Sequence, residues 1–153
     1  MTVFGLPLHP LIVHATVVVV PTAALAVLLA TFWPRFRRWA SWGPLALALL
    51  SVVLVPITTS SGESLEHTLP HSELAEAHAR LGDQLLPWVI VLAVGALGLS
   101  WPLITRLLTG LPDRPRWLTL LVVAIVVVGA LGTLVQVVRI GHSGATAAWS
   151  DVS

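Results

Sequence analysis

The chain of 153 residues is 56% hydrophobic and only 10% charged, a composition that excludes an ordinary soluble domain and is typical of an integral membrane protein. Its formal net charge is +1, with arginine in place of lysine throughout, and this balance gives no indication of nucleic-acid binding. The absence of cysteine excludes disulfides, thiolate metal sites and covalent c-type haem, so an internal metal would need His, Asp, Glu or backbone oxygen as ligands.

The first part of the chain predicts two membrane-spanning helices. Residues 11–33 are almost entirely apolar and long enough to cross a bilayer at a rise of about 1.5 Å per residue. This run is too long for a signal peptide, so we expect it to be retained as a span. Residues 34–43 combine arginine with tryptophan, which is typical of a loop at a membrane interface. Residues 44–59 predict the second span, which we expect to end at Ser61-Gly62.

Residues 60–84 interrupt the apolar sequence and predict a helical segment outside the membrane. They hold three of the six histidines and five of the seven acidic residues. Pro70 at a first helical turn, with His71 or Ser72 near the cap, predicts a helix that begins there, because proline is favoured in a first turn and serine at an N-cap. Glu76 and Arg80, four residues apart, predict an ion pair on the solvated face of that helix.

The second half of the chain predicts two further spans, at residues 85–108 and 117–140, joined by a turn rich in proline and glycine. Glycines within these spans would allow the two helix backbones to approach closely: Gly95, Gly98, Gly129 and Gly132. The predicted fold is therefore a single all-α domain over residues 1–153, an antiparallel up-and-down bundle of four transmembrane helices.

The arginines predict the orientation of this bundle. Four spans would bring both termini and residues 60–84 to one face, together with all six histidines. Positively charged loops stay in the cytoplasm, so we expect the opposite, arginine-rich face to be cytoplasmic. That face carries six of the eight arginines: Arg35, Arg37, Arg38, Arg106, Arg114 and Arg116.

Three histidines come to similar depth in this topology. His14 lies about one turn inside the first span, His78 just before the third and His142 just after the fourth. A histidine inside a span is costly unless it finds a partner in the bundle, so the three positions predict a cofactor or metal site. The residues alone leave four interpretations open, namely a b-type haem between two imidazoles, a zinc or copper ion, proton handling beside carboxylates, or histidines that are merely solvated.

For a zinc or copper ion, the predicted ligands are His14, His78 and His142, with His9 as a further candidate. The acidic residues of the polar segment are possible additional ligands: Glu63, Glu66 and Glu73. No spacing indicates a nucleophile elbow or a phosphate-binding glycine loop. The sequence therefore leaves enzymatic activity open, without support for it.

Four motifs resemble the bacterial membrane-protein family DUF2231, namely GLPLHPLIVH, SGE, EAHARLG and GHSGATAAW, spread from Gly5 to Trp149. The resemblance implies a small multi-pass protein of the bacterial cell membrane with an undefined function. It also implies a redox association, because some related chains join this domain to a Rieske-type module. The chain departs from many members at Ala15-Thr16, where an aromatic-proline pair is usual, and in the terminal alanine-tryptophan pair. The family's histidine positions correspond to His9, His14, His78 and His142.

With this resemblance, haem b near the external surface is the favoured hypothesis. We expect His14 and His78 as the axial pair, with His142 as the substitute for either. Arg80 and Arg139 lie on the same face and are expected to reach the haem propionates. An electron carrier or another membrane subunit would be the partner, beside the lipid bilayer itself. A zinc- or copper-binding subunit, or a purely structural one, is the alternative.

Overall fold

The computed structural model describes residues 2–3, 6–66, 72–108 and 115–149. A pair of two-residue antiparallel strands precedes the helices. The elements of the described chain are β1 (Thr2–Val3), β2 (Leu6–Pro7), α1 (Leu8–Phe32), α2 (Pro34–Ala40), α3 (Gly43–Glu66), α4 (Glu73–Asp83), α5 (Leu85–Leu99), α6 (Trp101–Leu107) and α7 (Arg116–Trp149).

Four helical segments are long and apolar enough to cross a membrane: Ile12–Phe32, Gly43–Leu65, Glu73–Leu99 and Arg116–Trp149. The third of these combines α4 with α5. Because α1 packs against α3 and α7, and α5 packs against α3 and α7, the four segments form one bundle. The predicted all-α fold with four transmembrane helices is confirmed.

The first interfacial connection is a short helix, where the sequence indicated a loop. Helix α2 begins at Pro34, whose fixed φ suits a first helical turn. Its aromatic side chains lie along one side, with ring centroids 6.4 Å apart for Trp33 and Phe36 and 5.7 Å apart for Phe36 and Trp39. The helix ends at Ser41, whose φ of 49° turns the chain towards α3.

Helix α3 runs to Glu66, beyond the predicted end at Ser61-Gly62. The hydroxyls of its last turns do not compete with the helix, because they donate to carbonyls of the preceding turn. Ser60 donates to the Pro56 carbonyl at 2.7 Å, and Ser61 donates to the Thr58 carbonyl at 2.8 Å. This local bonding is compatible with helical backbone, so the polar composition did not end the helix.

The third span is broken at two points, at Gln84 between α4 and α5 and at Ser100 between α5 and α6. Pro102 in the first turn of α6 has no amide hydrogen, which explains the second break. The prediction for the start of α4 is confirmed, because the Ser72 side chain caps it by accepting from the Ala75 amide at 3.5 Å. Of the turn predicted after this span, residues 110–116, the part up to residue 114 lies outside the described residues, and Arg116 begins α7.

Helix α7 continues nine residues past the predicted end at Ile140 and includes the GHSGA motif. Its 34 residues span about 51 Å at the helical rise, well beyond the roughly 30 Å hydrocarbon core of a bilayer. The last turns of α7 pack against α4. His142 therefore lies within a helix, where the sequence placed it just past the end of one.

Close backbone contact joins α5 to α7, as the glycines in these spans predicted. A Cβ added at Gly95 would lie 2.8 Å from Val126 Cγ2, and one added at Gly129 would lie 2.7 Å from the Leu92 amide nitrogen. Such spacing leaves no room for any side chain. Association of helices in lipid depends on van der Waals packing of this kind, since burial from water does not drive it.

Apolar side chains occupy both the interior and the outer surface of the bundle, as expected for a protein in lipid. The central core is built mainly from alanine and valine, with Val27, Leu92 and Val126 completely buried. A second cluster of buried residues lies towards the end of the bundle where α4 packs: Val20, Val55, Leu85 and Val89.

The α5–α7 contact gives a first prediction. Gly129→Val should lower the free energy of unfolding by about 1–3 kcal/mol or more, because the added side chain meets the Leu92 backbone. Gly141→Val on the same helix is the matched control, since a Cβ there meets no atom within 4 Å. Thermal or denaturant unfolding in detergent micelles measures both variants, and equal losses would contradict the packing role of Gly129.

Candidate functional site

A cavity of about 750 Å³ opens at the end of the bundle where α3 ends and α4 begins. Residues of α1, α3, α4, α5 and α7 line it, and Val20, Val55 and Leu85 of the second buried cluster form its floor. The volume falls within the roughly 300–1,000 Å³ range of sites for small ligands and cofactors, and most of the lining side chains are apolar, as is usual for such sites.

Small residues on two facing helices create this space. On α4 and α7 they recur at intervals of one helical turn, so each set shares a helix face. Larger side chains at these positions would fill the cavity. The small residues that line it are Ala75, Ala79 and Gly82 on α4 and Gly141, Gly144, Ala147 and Ala148 on α7.

Among the described residues, His78 of α4 is the histidine that lines the cavity. Its Nδ1 lies 3.0 Å from Ser143 Oγ on α7, and that hydroxyl lies 3.0 Å from the Ile140 carbonyl oxygen. A hydroxyl has one hydrogen to donate. Ser143 therefore satisfies both contacts when it donates to Ile140 and accepts from an Nδ1–H of His78. The neutral imidazole is then left with an unprotonated Nε2, which can bind a metal or accept a hydrogen bond.

The threonines that line the cavity also donate their hydroxyl hydrogens to the protein. Thr58 donates to the Leu54 carbonyl at 2.8 Å, and Thr59 donates to the Pro56 carbonyl at 3.2 Å. Thr16 has two acceptors for its one hydroxyl hydrogen, the Ile12 carbonyl at 3.1 Å and the Thr58 hydroxyl at 2.7 Å, so this hydrogen is also bonded within the protein. Two exposed acidic residues, Glu63 and Asp83, complete the polar part of the lining.

The predicted site residues are only partly brought together. Contacts of His78 with Ser143, of Thr16 with Thr58 and of Gln136 with the Leu81 carbonyl place α1, α3, α4 and α7 side by side at one end of the bundle. His14 and His142 lie at that same end, but both are exposed and neither lines the cavity. Their pairing with His78 stays a prediction.

Two other predicted groups have different surroundings. Arg80 forms the expected ion pair with Glu76 at 3.5 Å, and Arg139 Nη1 donates to Gln136 Oε1 at 3.3 Å; neither arginine lines the cavity. Among residues whose side chains are described, no three His, Asp or Glu side chains form a group that could hold a metal ion. The side chains of His9, His67, His71 and Glu66 lie outside the described residues.

Sequence reasoning missed two residues that support this end of the bundle. Ser143 is not among the predicted site residues, yet its hydroxyl contacts His78 Nδ1 and orients the ring. Gln136 is buried in α7, and its Nε2 donates to the Leu81 carbonyl at 2.7 Å near the break between α4 and α5. A lone amide within an apolar span is the signal that could have identified Gln136.

Residues 5–152 match the model of a protein family described as "Predicted membrane protein (DUF2231)". No curated protein and no solved structure matches the chain.

The His78–Ser143 contact gives a second prediction. Histidine ¹⁵N NMR of the protein in micelles should show His78 as the Nδ1–H tautomer, because the Ser143 hydroxyl hydrogen is held by Ile140. Ser143→Ala should reduce this preference. Thr146→Ala is the matched control. It removes a hydroxyl on the same helix that donates to the His142 carbonyl, one turn earlier in α7. A dominant Nε2–H tautomer in the unaltered protein would contradict the assignment.

Proposed function

Because the chain belongs to the DUF2231 family of predicted membrane proteins, we propose that it is an integral membrane protein that holds a haem b in the cavity at one end of its bundle. The supporting observation is the His78 imidazole, which lines an apolar cavity and keeps Nε2 free of the bond that fixes Nδ1. An imidazole nitrogen of this kind is a common axial ligand of haem iron.

The residues of the cavity fit such a group in three respects. His78 would be an axial ligand, and Ser143 would fix its ring orientation and tautomer, as outer hydrogen-bond partners of metal-bound histidines usually do. The small residues of α4 and α7 leave space in the cavity, and a Cβ added at Gly144 would lie only 3.0 Å from His78 Cε1, so glycine suits the position beside the imidazole. Either His14 or His142 is the proposed second ligand. Haem would supply one-electron redox chemistry, consistent with a role in electron transfer.

A bare zinc or copper ion has less support from the described residues. A protein-bound metal ion of that kind needs three or more side-chain ligands, and no such group is found among the described side chains. Haem needs only one or two protein ligands, because the porphyrin supplies four nitrogens.

We propose the arginine-rich end as cytoplasmic, so the cavity would open towards the outside of a bacterial cell membrane. A redox partner or another membrane subunit would then approach the outer ends of α4 and α7. Arg80 and Arg139, both exposed at that end, are the residues proposed to pair with haem propionates. Their present partners, Glu76 and Gln136, would be exchanged on binding.

The orientation gives a third prediction. Because the chain contains no cysteine, a single cysteine can report each face. In intact cells, Ser72→Cys at the exposed start of α4 should react with a membrane-impermeant maleimide. Ser41→Cys, after α2, should react only once the membrane is permeabilised. The reverse pattern would place the cavity on the cytoplasmic side.

Haem binding gives a fourth prediction. The protein, as purified or after addition of haemin, should show a Soret band that shifts on reduction. His78→Ala should remove the band, because it deletes the proposed axial ligand. Of His14→Ala and His142→Ala, only the variant that removes the second ligand should change the spin state of the haem iron.

His67→Ala is the control for this series, since His67 is outside the predicted ligand set and its loss should leave the spectrum unchanged. A protein that takes up no haem, or an unchanged spectrum in His78→Ala, would overturn the proposal. A colourless protein that carries stoichiometric zinc or copper would favour the alternative instead.

A further inference from the structure

We infer that the cavity is selective for apolar ligands that bring their own hydrogen-bond donors, and that a hydroquinone with an alkyl tail is the ligand class that fits it. This inference rests on the proposed function only in using the same cavity and the same His78 nitrogen. It concerns the protein without haem, and names a second class of ligand.

The deep polar groups of the cavity offer electron pairs and no hydrogens. When Ser143 donates to the Ile140 carbonyl and accepts from Nδ1–H of the neutral His78 imidazole, His78 Nε2 is left as an acceptor. The three lining threonines donate to backbone carbonyls or to one another, as the Thr16–Thr58–Leu54 chain shows. Among the described lining residues there is neither an amide side chain nor a tryptophan that could donate instead.

The described residues at the rim of the cavity also offer hydrogen-bond acceptors and no side-chain donors. Glu63 and Asp83 are acceptors only when they are ionised. No arginine is among the described lining residues, and the sequence contains no lysine. A fatty acid carboxylate or a phospholipid phosphate would therefore meet like charge and find no side-chain donor. An anionic head group would have to reach beyond the described lining, as haem propionates would to Arg80 and Arg139, so the described lining favours a neutral head group.

A neutral donor fits the deep part of the cavity better than a cation does. Moving an ammonium group into surroundings this apolar is costly unless a counter-charge accompanies it, and the two carboxylates lie at the exposed rim. A phenolic hydroxyl is a neutral donor on an apolar ring. It can bond to His78 Nε2, while the ring and tail contact the aliphatic lining formed by residues such as Val17, Val137 and Ile140.

Haem and hydroquinone would each use the lone pair of His78 Nε2, but in different ways. The nitrogen would bind the iron of haem, whereas it would accept a hydrogen bond from a phenol. Both would occupy the same space and would compete. Binding of each can therefore be measured separately, and the failure of one leaves the other standing.

Matched ligands provide the fifth prediction. Haem-free protein in detergent micelles is titrated by calorimetry with an alkylhydroquinone, with its dimethyl ether, and with the corresponding alkylbenzoquinone. All three share a six-membered ring and a tail, but only the hydroquinone has O–H donors. We expect it to bind about tenfold more tightly than either analogue, the difference that one satisfied hydrogen bond makes. Equal affinities, or no binding, would overturn the inference.

Variants locate the bond. His78→Phe keeps an aromatic ring but removes the acceptor, so the preference for hydroquinone over its ether should disappear. Thr146→Val removes an exposed hydroxyl of the same end, outside the cavity, and should leave the preference unchanged. Gly141→Leu, which projects into open space, should weaken binding of all three ligands. If the preference survived in His78→Phe, the acceptor assignment would be wrong.

An alkylammonium of the same tail length completes the series. Binding tighter than that of the hydroquinone would show that the rim carboxylates dominate, and it would overturn the choice of a neutral donor. The haem proposal is judged separately by the Soret band. A colourless protein that prefers hydroquinone would refute haem alone, while a protein that takes up haem but whose haem-free form binds no hydroquinone would refute the present inference alone.

Discussion

Backbone contact between α5 and α7 is the constraint on which the rest of this structure depends. Gly129 meets Leu92 so closely that neither helix can slide past the other. Gly129 and Ser143 are 14 residues apart along α7, and Leu92 and His78 are 14 residues apart in the opposite direction along α5 and α4. A fixed register at the first pair therefore places Ser143 beside His78 about 21 Å away. Gln136 reinforces the alignment where α4 meets α5, through its bond to Leu81.

The lipid environment of the helices also determines the chemistry of the cavity. Polar groups within a bilayer must find partners inside the protein, because no water is present to replace them. Hydroxyls in these helices meet that demand locally, by donating to carbonyls one turn back, as Thr58 and Thr59 do. Each such bond stabilises the group and also uses its hydrogen. A cavity bordered by these helices is thus left with acceptors.

Much of the fold followed from the sequence, because spans depend on long apolar runs and close packing depends on glycine. The convergence of the helix ends followed from the number of crossings. The sequence did not predict which side chains face the interior of the bundle and which face the lipid. In a helix that is apolar all round, hydropathy does not distinguish the face towards lipid from the face towards the bundle. Thr16 is buried and lines the cavity, whereas His14, two residues earlier, is exposed.

On α4 and α7 the cavity is lined mainly by alanine and glycine, on helices whose backbones are held in place by contacts elsewhere. Its size can therefore change one methyl group at a time, at positions such as Ala79 or Ala148, without displacing α4 or α7. The His78 imidazole would keep its position while the volume of the cavity beside it increased or decreased. Related proteins could thus bind ligands of different width while retaining the same arrangement of helices.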